Sequence, residues 1–430
     1  MLLTAILLIT SQAFPAFAAT QQTKTLEDLY RLALARSEVL ATSQSNIENA
    51  EALHRRAIYG VLPTVQGLAS LQFQDQPPGA TGVSSQFTQG FLPNVRLNAT
   101  QPLFRGLREF LGLKQTSRLM DAERSSYERA SQLLFVDVAA SALERTRAQG
   151  EVRILGDQID LLQKRQRELQ ERAAIGRSRK SEVYLAESSI ANLEAQRAQV
   201  EAALAAQEEL LAFLTGESIS NVNVVLPFDL DEAPTRLPSL EVFLESLSKR
   251  PDLVSFEHRT AAGEAGVWSA RGALLPSADL SANYYLARQG ILQDVKWDVQ
   301  LLFTIPIFNP SGAYGDIRQA RVQSLQAELA ESQAKRDAER EVRTLYASLE
   351  SLGLQLTALT RSRTFAERNF SELSREYRLG LVTNLETIQA LSQFKDAERA
   401  LERARVSYET DLLRLQVASG KGIPKKEGGA

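Results

Sequence analysis

The side chains that most often do chemistry are scarce in this chain. There are two histidines, His54 and His258, and no cysteine. Thiol nucleophiles, disulfides, zinc–thiolate sites and lipidation of an N-terminal cysteine are excluded, and no His pair has metal-ligand spacing. Both histidines lie in helical, charged surroundings and read as solvated surface residues. No phosphate loop of the G-x-x-x-x-G-K-S/T type occurs. Ser246-x-x-Lys249 and Ser332-x-x-Lys335 match a penicillin-binding pattern, but its companion motifs are absent. We therefore expect no catalytic site, no metal and no cofactor. What remains is charge and apolar surface beside two glycines. Gly176 is followed by Arg177, Arg179, Lys180 and Glu182; Gly380 is followed by Leu381, Val382, Thr383 and Glu386. Both glycines suit a helix end that needs a positive φ. Thr383-x-x-Glu386 is a capping box for a following helix, and a carboxylate there is favoured by the helix dipole. Such turns can recognise or gate; they cannot make bonds.

The elements that carry these turns are legible from proline placement. None of the fourteen prolines lies between Pro102 and Pro227, or between Pro310 and Pro424. Both gaps are rich in Ala, Leu, Glu, Gln and Arg, strong helix formers. Apolar residues recur at 3–4 spacing, as in Leu155, Ile159, Leu162, Leu169 and Ala173, or Ile190, Leu193, Val200, Leu204, Leu211 and Leu214. A helix over 105–175 would be roughly 100 Å long, which no compact domain needs. With 49 basic against 52 acidic residues in 430, the net charge of −3 gives no reason to expect nucleic acid as a partner.

The two gaps are copies. Gln101-Pro102-Leu103-Phe104 recurs as Ile305-Pro306-Ile307-Phe308, Gly176 as Gly380, Glu182 as Glu386, and Leu214-Thr215-Gly216 as Ala418-Ser419-Gly420. Ile190, Leu204 and Leu211 recur as Phe394, Tyr408 and Leu415, and every pair is 204 positions apart. Neither arm has gained or lost a residue relative to the other. The spacing predicts a first repeat over 19–216, with a β-hairpin at 64–101 and long helices at 105–175 and 180–215. A connector at 217–238 leads to a second repeat over 239–420, with a β-hairpin at 277–305 and helices at 311–379 and 383–419. A flexible tail, 421–430, follows.

The hairpins alternate strictly. Val65, Gly67, Ala69, Leu71 and Phe73 interleave with polar residues, as do Val95, Leu97 and Ala99. Ala278, Leu280, Ala282 and Tyr284, and then Val295, Trp297, Val299, Leu301, Phe303 and Ile305, do the same. Four strands near ten residues long, apolar on one side, match outer-membrane strands. The alternation also fits a soluble amphipathic sheet, but prolines and long helices flank it and leave no core for it to cover. Arg96, Asn98, Asp279, Lys296 and Asp298 fall on the polar faces, where a barrel lumen would hydrate them. Four strands cannot close a barrel, and open edges cannot face lipid, so several chains must share one.

Residues 1–18 read as an export signal: an apolar run from Leu2 to Ile9 leads to Ala16-Phe17-Ala18, although no basic residue precedes Lys24. No later run is long and apolar enough for a transmembrane helix.

At this point the chain resembles the TolC-like outer-membrane efflux channels. The resemblance runs from about Leu26 to Gly420. It rests on the Leu-Pro entry to each first strand, Arg250-Pro251-Asp252-Leu253 opening the second repeat, the two strand exits, and Arg378-Leu379-Gly380-Leu381-Val382-Thr383. It implies a mainly α fold with a membrane β-barrel part: a homotrimer whose twelve-stranded barrel sits in outer-membrane lipid of a Gram-negative bacterium, on a periplasmic α-helical tunnel. It further implies a passive exit duct coupled to a periplasmic adaptor and an inner-membrane pump. Gly176, Gly380, Leu381, Val382 and Thr383 would then lie at the periplasmic tips that dock the adaptor, with Glu182 and Glu386 as acidic rings at the tunnel mouth. Arg177, Arg179 and Lys180 depart from the family's apolar turn. They either pair with acidic groups of a neighbouring helix to hold the entrance shut or form a solvated charged turn. An exit duct for type I protein secretion, and an exported coiled-coil scaffold without a pore, are the alternative readings.

Overall fold

Periodicity of 3.6 in the proline-free gaps and of 2 in the hairpins becomes helix and strand respectively in a computed structural model, which describes residues 23–75, 90–220, 222–225, 237–307 and 312–423. In chain order the elements are β1 (Thr23–Thr25), α1 (Leu26–Arg36), α2 (Glu38–Tyr59), β2 (Thr64–Phe73) and β3 (Phe91–Arg105). The long α3 (Arg108–Ala174) and α4 (Lys180–Thr215) follow, then β4 (Asn223–Val225), α5 (Leu240–Ser246), α6 (Pro251–Arg271), β5 (Ser277–Arg288) and β6 (Trp297–Thr304). The chain closes with α7 (Ala313–Arg378) and α8 (Asn384–Ala418). The export signal and most of the tail fall outside the described residues, as does Phe308. Among the described residues no helix is long and apolar enough to cross a membrane.

The described residues group into two units, one of those within 1–36, 138–231 and 363–402, the other of those within 37–137, 232–362 and 403–430. In the first unit, β1 pairs in parallel with β4, and Lys24 meets Glu217 beside that short ladder. Its core follows the expected seam: Leu155, Ile159 and Leu162 of α3 pack with Ile190 and Leu193 of α4 and Leu391 of α8. Nearer the turns, Leu169, Val183 and Ala186 form a second cluster, against which Ile388 packs. Arg145 is buried and ties the arms polar-side: its guanidinium donates to Glu208 at 3.1 Å and to the Ile219 carbonyl at 3.2 Å.

The second unit holds the sheet, an antiparallel run in the order β2-β3-β5-β6. The two hairpins are thus fused by β3–β5 pairing across the repeats. Register aligns like with like. Gln66, Asn98, Asn283 and Asp298 share one row, and Val65, Ala99, Ala282 and Val299 the next. Asn98, buried, donates to Ser281 at 3.0 Å and Asn283 at 2.9 Å, and Asn283 donates to Asp298 at 2.9 Å. The opposite face exposes Val65, Leu97, Tyr284, Trp297, Val299, Leu301 and Phe303. In the same unit, Arg250 at the N-cap of α6 donates to Asp252 at 2.8 Å, Glu341 at 2.7 Å and the Ala418 carbonyl at 3.1 Å. It therefore fastens the end of α8 to the start of α6, where Pro251 sits at the first helical position and gives up no needed N–H.

Several boundaries differ from the sequence reading. The strand expected to end at 101 runs to Arg105, and the helix expected from 105 begins at Arg108. The reason is a pair of left-handed residues, Gly106 at φ 66° and Leu107 at φ 61°, which turn the chain before a helix can start. The turn is needed because Gly106 passes the Gly272 backbone closely: a Cβ on Gly106 would run into the Gly272 carbonyl oxygen. β6 begins at Trp297, because Val295 is held in a turn by its N–H to Leu292. The helices expected at 105–175, 311–379 and 383–419 are each trimmed by one to three residues per end. The histidines are not simply solvated. His54 Nδ1 is 3.0 Å from the Thr116 hydroxyl and His258 Nδ1 3.3 Å from Arg118, both half-buried between helices.

Candidate functional site

Both inter-helix turns belong to the first unit, and both are built on the same backbone motif. In the first, the Gly176 N–H donates to the Ala173 carbonyl at 3.1 Å and the Arg177 N–H to Arg172 at 2.8 Å. In the second, Gly380 donates to Tyr377 at 3.0 Å and Leu381 to Glu376 at 3.0 Å. These paired bonds are the Schellman arrangement, which requires a left-handed residue after the helix; Gly176 and Gly380 supply φ of 75° and 78°. The residue after the glycine usually folds back onto its helix. Here it does not: Leu381 is 71 % exposed, and Arg177 also faces solvent.

The following helices start differently. Thr383 and Glu386 close a reciprocal capping box: the Thr383 N–H and hydroxyl reach the Glu386 carboxylate at 2.7 and 2.9 Å, and the Glu386 N–H returns to Thr383 at 3.4 Å. The Thr383 backbone N–H, first, and its hydroxyl hold the Glu386 carboxyl below its ordinary range. At the equivalent place in the first turn the N-cap is Arg179, whose side chain caps nothing. Glu182 instead accepts from the Ser178 hydroxyl at 2.5 Å. Arg179 and Lys180 thus sit at the positive end of the α4 dipole, where each cation opposes helix formation by about 0.3–1 kcal/mol. Among the described residues, no side-chain hydrogen bond or ion pair engages Arg177, Arg179 or Lys180.

Sequence reasoning missed three participants here. Ser178 carries no motif. Asn384 is fully buried, and neither amide atom has a partner among the described residues. Tyr377, also buried, lies under two guanidiniums of α3, Arg165 at 4.0 Å and Arg172 at 5.3 Å from the ring centre, with Arg172 also donating to the phenol oxygen at 3.4 Å. Only the buried aromatic among charged neighbours could have hinted at this cation–π clamp.

In the second unit, the polar-face residues separate into two groups. Asn98 and Asp298 share the amide row, with Tyr285 also donating to Asp298 at 2.8 Å. Asp279 lies apart from them, paired with Arg105 at 2.8 Å. Arg96 stands opposite Tyr285, and Lys296, exposed, enters the ladder only through its carbonyl, which accepts from the Tyr285 N–H. A groove of about 950 Å³ in the same unit is lined by Arg129, Arg250, Asp252, Asp337, Glu341 and Arg414 among others. Burial, first, and the nearby Arg250 charge lower the Arg129 pKa from its ordinary value. Its guanidinium is nonetheless spoken for by the Val417 carbonyl at 3.2 Å, so the groove reads as a helix joint. Among the described residues no cluster of His, Asp or Glu could hold a metal.

Comparison with known proteins agrees with this architecture. The model of the outer membrane efflux protein family matches residues 29–217 and 243–421, one match per repeat. The toluene efflux pump outer membrane protein TtgC of Pseudomonas putida is 24% identical, aligned over 94% of this chain and 84% of its own. The pyoverdine export outer membrane protein OpmQ of Pseudomonas aeruginosa is 28% identical, over 94% of this chain and 86% of its own. The crystal structure of the Campylobacter jejuni CmeC outer membrane channel superposes with a TM-score of 0.78 at 19% identity, covering 94% of this chain and 87% of that one. A duplicated helical arm joined to an amphipathic sheet fits the build of an outer-membrane channel. The chain belongs to the outer membrane efflux protein family and is a channel protein of the Gram-negative outer membrane.

Proposed function

We propose that this protein is the exit duct of a tripartite efflux system, in which three copies share a twelve-stranded barrel and pass small molecules from an inner-membrane pump to the outside. The observation that carries this reading is the four-stranded sheet. Among the described residues its outer strands, β2 and β6, each pair on one side only, while the face between them is apolar and exposed. Bare strand edges are untenable in hydrocarbon, and a closed ring removes them. Three copies of four strands give a barrel size known among outer-membrane proteins. Toluene and pyoverdine, in the names of two relatives, are small solutes, which favours small-molecule export over protein secretion.

In this reading the turns at Gly176 and at Gly380-Leu381-Val382-Thr383 are the periplasmic tips that receive an adaptor, and Glu182 and Glu386 bring carboxylates to the tunnel mouth. The native mass of the protein extracted from outer membranes in mild detergent tests the assembly. Three chains per particle support the shared barrel. A monomer, or release without detergent, refutes it.

A further inference from the structure

The two turns share a backbone but not a chemistry. Arg177, Ser178, Arg179 and Lys180 occupy the positions that Leu381, Val382, Thr383 and Asn384 occupy 204 residues later. Since both turns close with the same Schellman bonds, the fold does not demand the difference. Helix stability does not demand it either: the first turn forgoes a capping side chain and places Arg179 and Lys180 at a positive helix end. Local rules broken without a local gain mark sites kept for another purpose. The three cations are exposed, and within the chain, among the described residues, no acid pairs with them. Before the glycines the two turns are alike, with Ile175 and Leu379 67 and 69 % exposed; after them the second turn exposes Leu381 and Leu385, at 71 and 46 %, where the first has Arg177 and Ser181.

We propose that the first turn is a cationic seat for an acidic partner: the helical hairpin of the adaptor that lands there carries carboxylates in its loop, whereas the one landing on the second turn is apolar. This rests on the docking reading given above and deepens it. Charge complementarity at an exposed seat sets partner choice and association rate more than final affinity, and it weakens with salt. Two seats of opposite chemistry also make the partner's landing sites inequivalent. Its copies cannot exchange places without setting carboxylates against leucine and leaving the guanidiniums unanswered. Partners with basic loops are rejected by the first seat, which is specificity by repulsion as well as attraction.

Ser181 and Leu385 are exposed, 204 positions apart, and each lies in the first turn of the helix that follows its seat. A photo-reactive benzoylphenylalanine at either position, in cells of the native host, reports what occupies each seat. The segments captured are identified by mass spectrometry. The expected result is an acid-rich loop at position 181 and an apolar one at 385. In the triple variant Arg177→Glu, Arg179→Glu, Lys180→Glu, capture at 181 falls about tenfold or more while capture at 385 stays within about twofold, as for loss of a few charge contacts. The pair Arg179→Thr with Lys180→Asn, which copies the second turn, lowers capture at 181 severalfold at unchanged outer-membrane yield, so misfolding does not account for the loss. Capture at 181 that ignores charge reversal, or that yields a loop without carboxylates, overturns the proposal while the docking reading stands. Capture of a second copy of this chain at 181 also overturns it, since the cations then close the tip themselves. No captured partner at either position defeats the docking reading and the proposal together.

Discussion

Leu107 is the residue at which the backbone is most constrained. It is the one non-glycine with positive φ among the described residues, and its side chain is half exposed, so little packing holds it there. A left-handed conformation costs an L-residue about 1–2 kcal/mol, which glycine avoids. Glycine also loses more chain entropy, so Leu107→Gly should raise stability by a few tenths to about 1 kcal/mol, read as the heating needed to dissociate the assembled protein. Glu386 makes a second test. Its carboxyl is held below the ordinary value of 4.5 by the Thr383 backbone N–H and hydroxyl, so the capped turn is favoured above that pH and loses support as pH falls through the lowered value. Amide exchange at 383–387, corrected for intrinsic rates, should therefore accelerate as pH falls below 4.5, and Thr383→Ala should flatten that dependence. Thr383-x-x-Glu386 was legible because a capping box is written in four consecutive residues. The Ser178–Glu182 bond was not, because a serine before an uncapped helix has no distinctive spacing. Nor were the His54–Thr116 and His258–Arg118 contacts, which join residues 62 and 140 positions apart.

Among elements, the junction between β3 and α3 is the most exacting. A Cβ at Gly106 would collide with the Gly272 carbonyl, which is backbone and cannot swing aside. Gly106→Ala should therefore sharply reduce the yield of assembled protein. Gly112, inside α3, provides the contrast, since a methyl group added there would meet nothing within 4 Å. Gly112→Ala should assemble normally and gain about 0.5–1 kcal/mol of helix stability. The same junction shows where sequence reading stops. Helix periodicity marks Leu155, Ile159, Leu162 and Leu169 as an inward stripe, and all four are buried. It cannot mark where the stripe begins, because Gln101-Pro102-Leu103-Phe104 continues the strand through a register shift between Pro102 and Phe104. A proline there suggested a stop; pairing with β5 overrode it.

For the molecule as a whole, facing of the sheet decides whether it belongs in lipid. Leu97 lies on the apolar face beside Tyr284 in register, and Asn98 on the polar face beside Asn283. Leu97→Arg should cost roughly 2–4 kcal/mol near the bilayer midplane and much less near an interface. Loss of heat resistance in detergent is the measurement; a fully resistant Leu97→Arg protein would reverse the facing. The family, and the division of the sheet into an apolar and a polar face, were readable because alternation and the 204-residue repeat are properties of the chain itself. The number of chains in the proposed barrel is not, since it depends on edges that only other copies can cover. The division into units carries one more consequence, for inheritance and engineering. The unit that bears both turns is drawn from residues 138–231 and 363–402 as well as the start of the chain, so its boundaries fall inside α3, α7 and α8. No single crossover can transplant a tip from one channel to another. If the turns dock a partner as proposed above, a graft that exchanges partner preference must cut both repeats in helical phase, and a recombinant joined in only one of them would inherit one seat of the two.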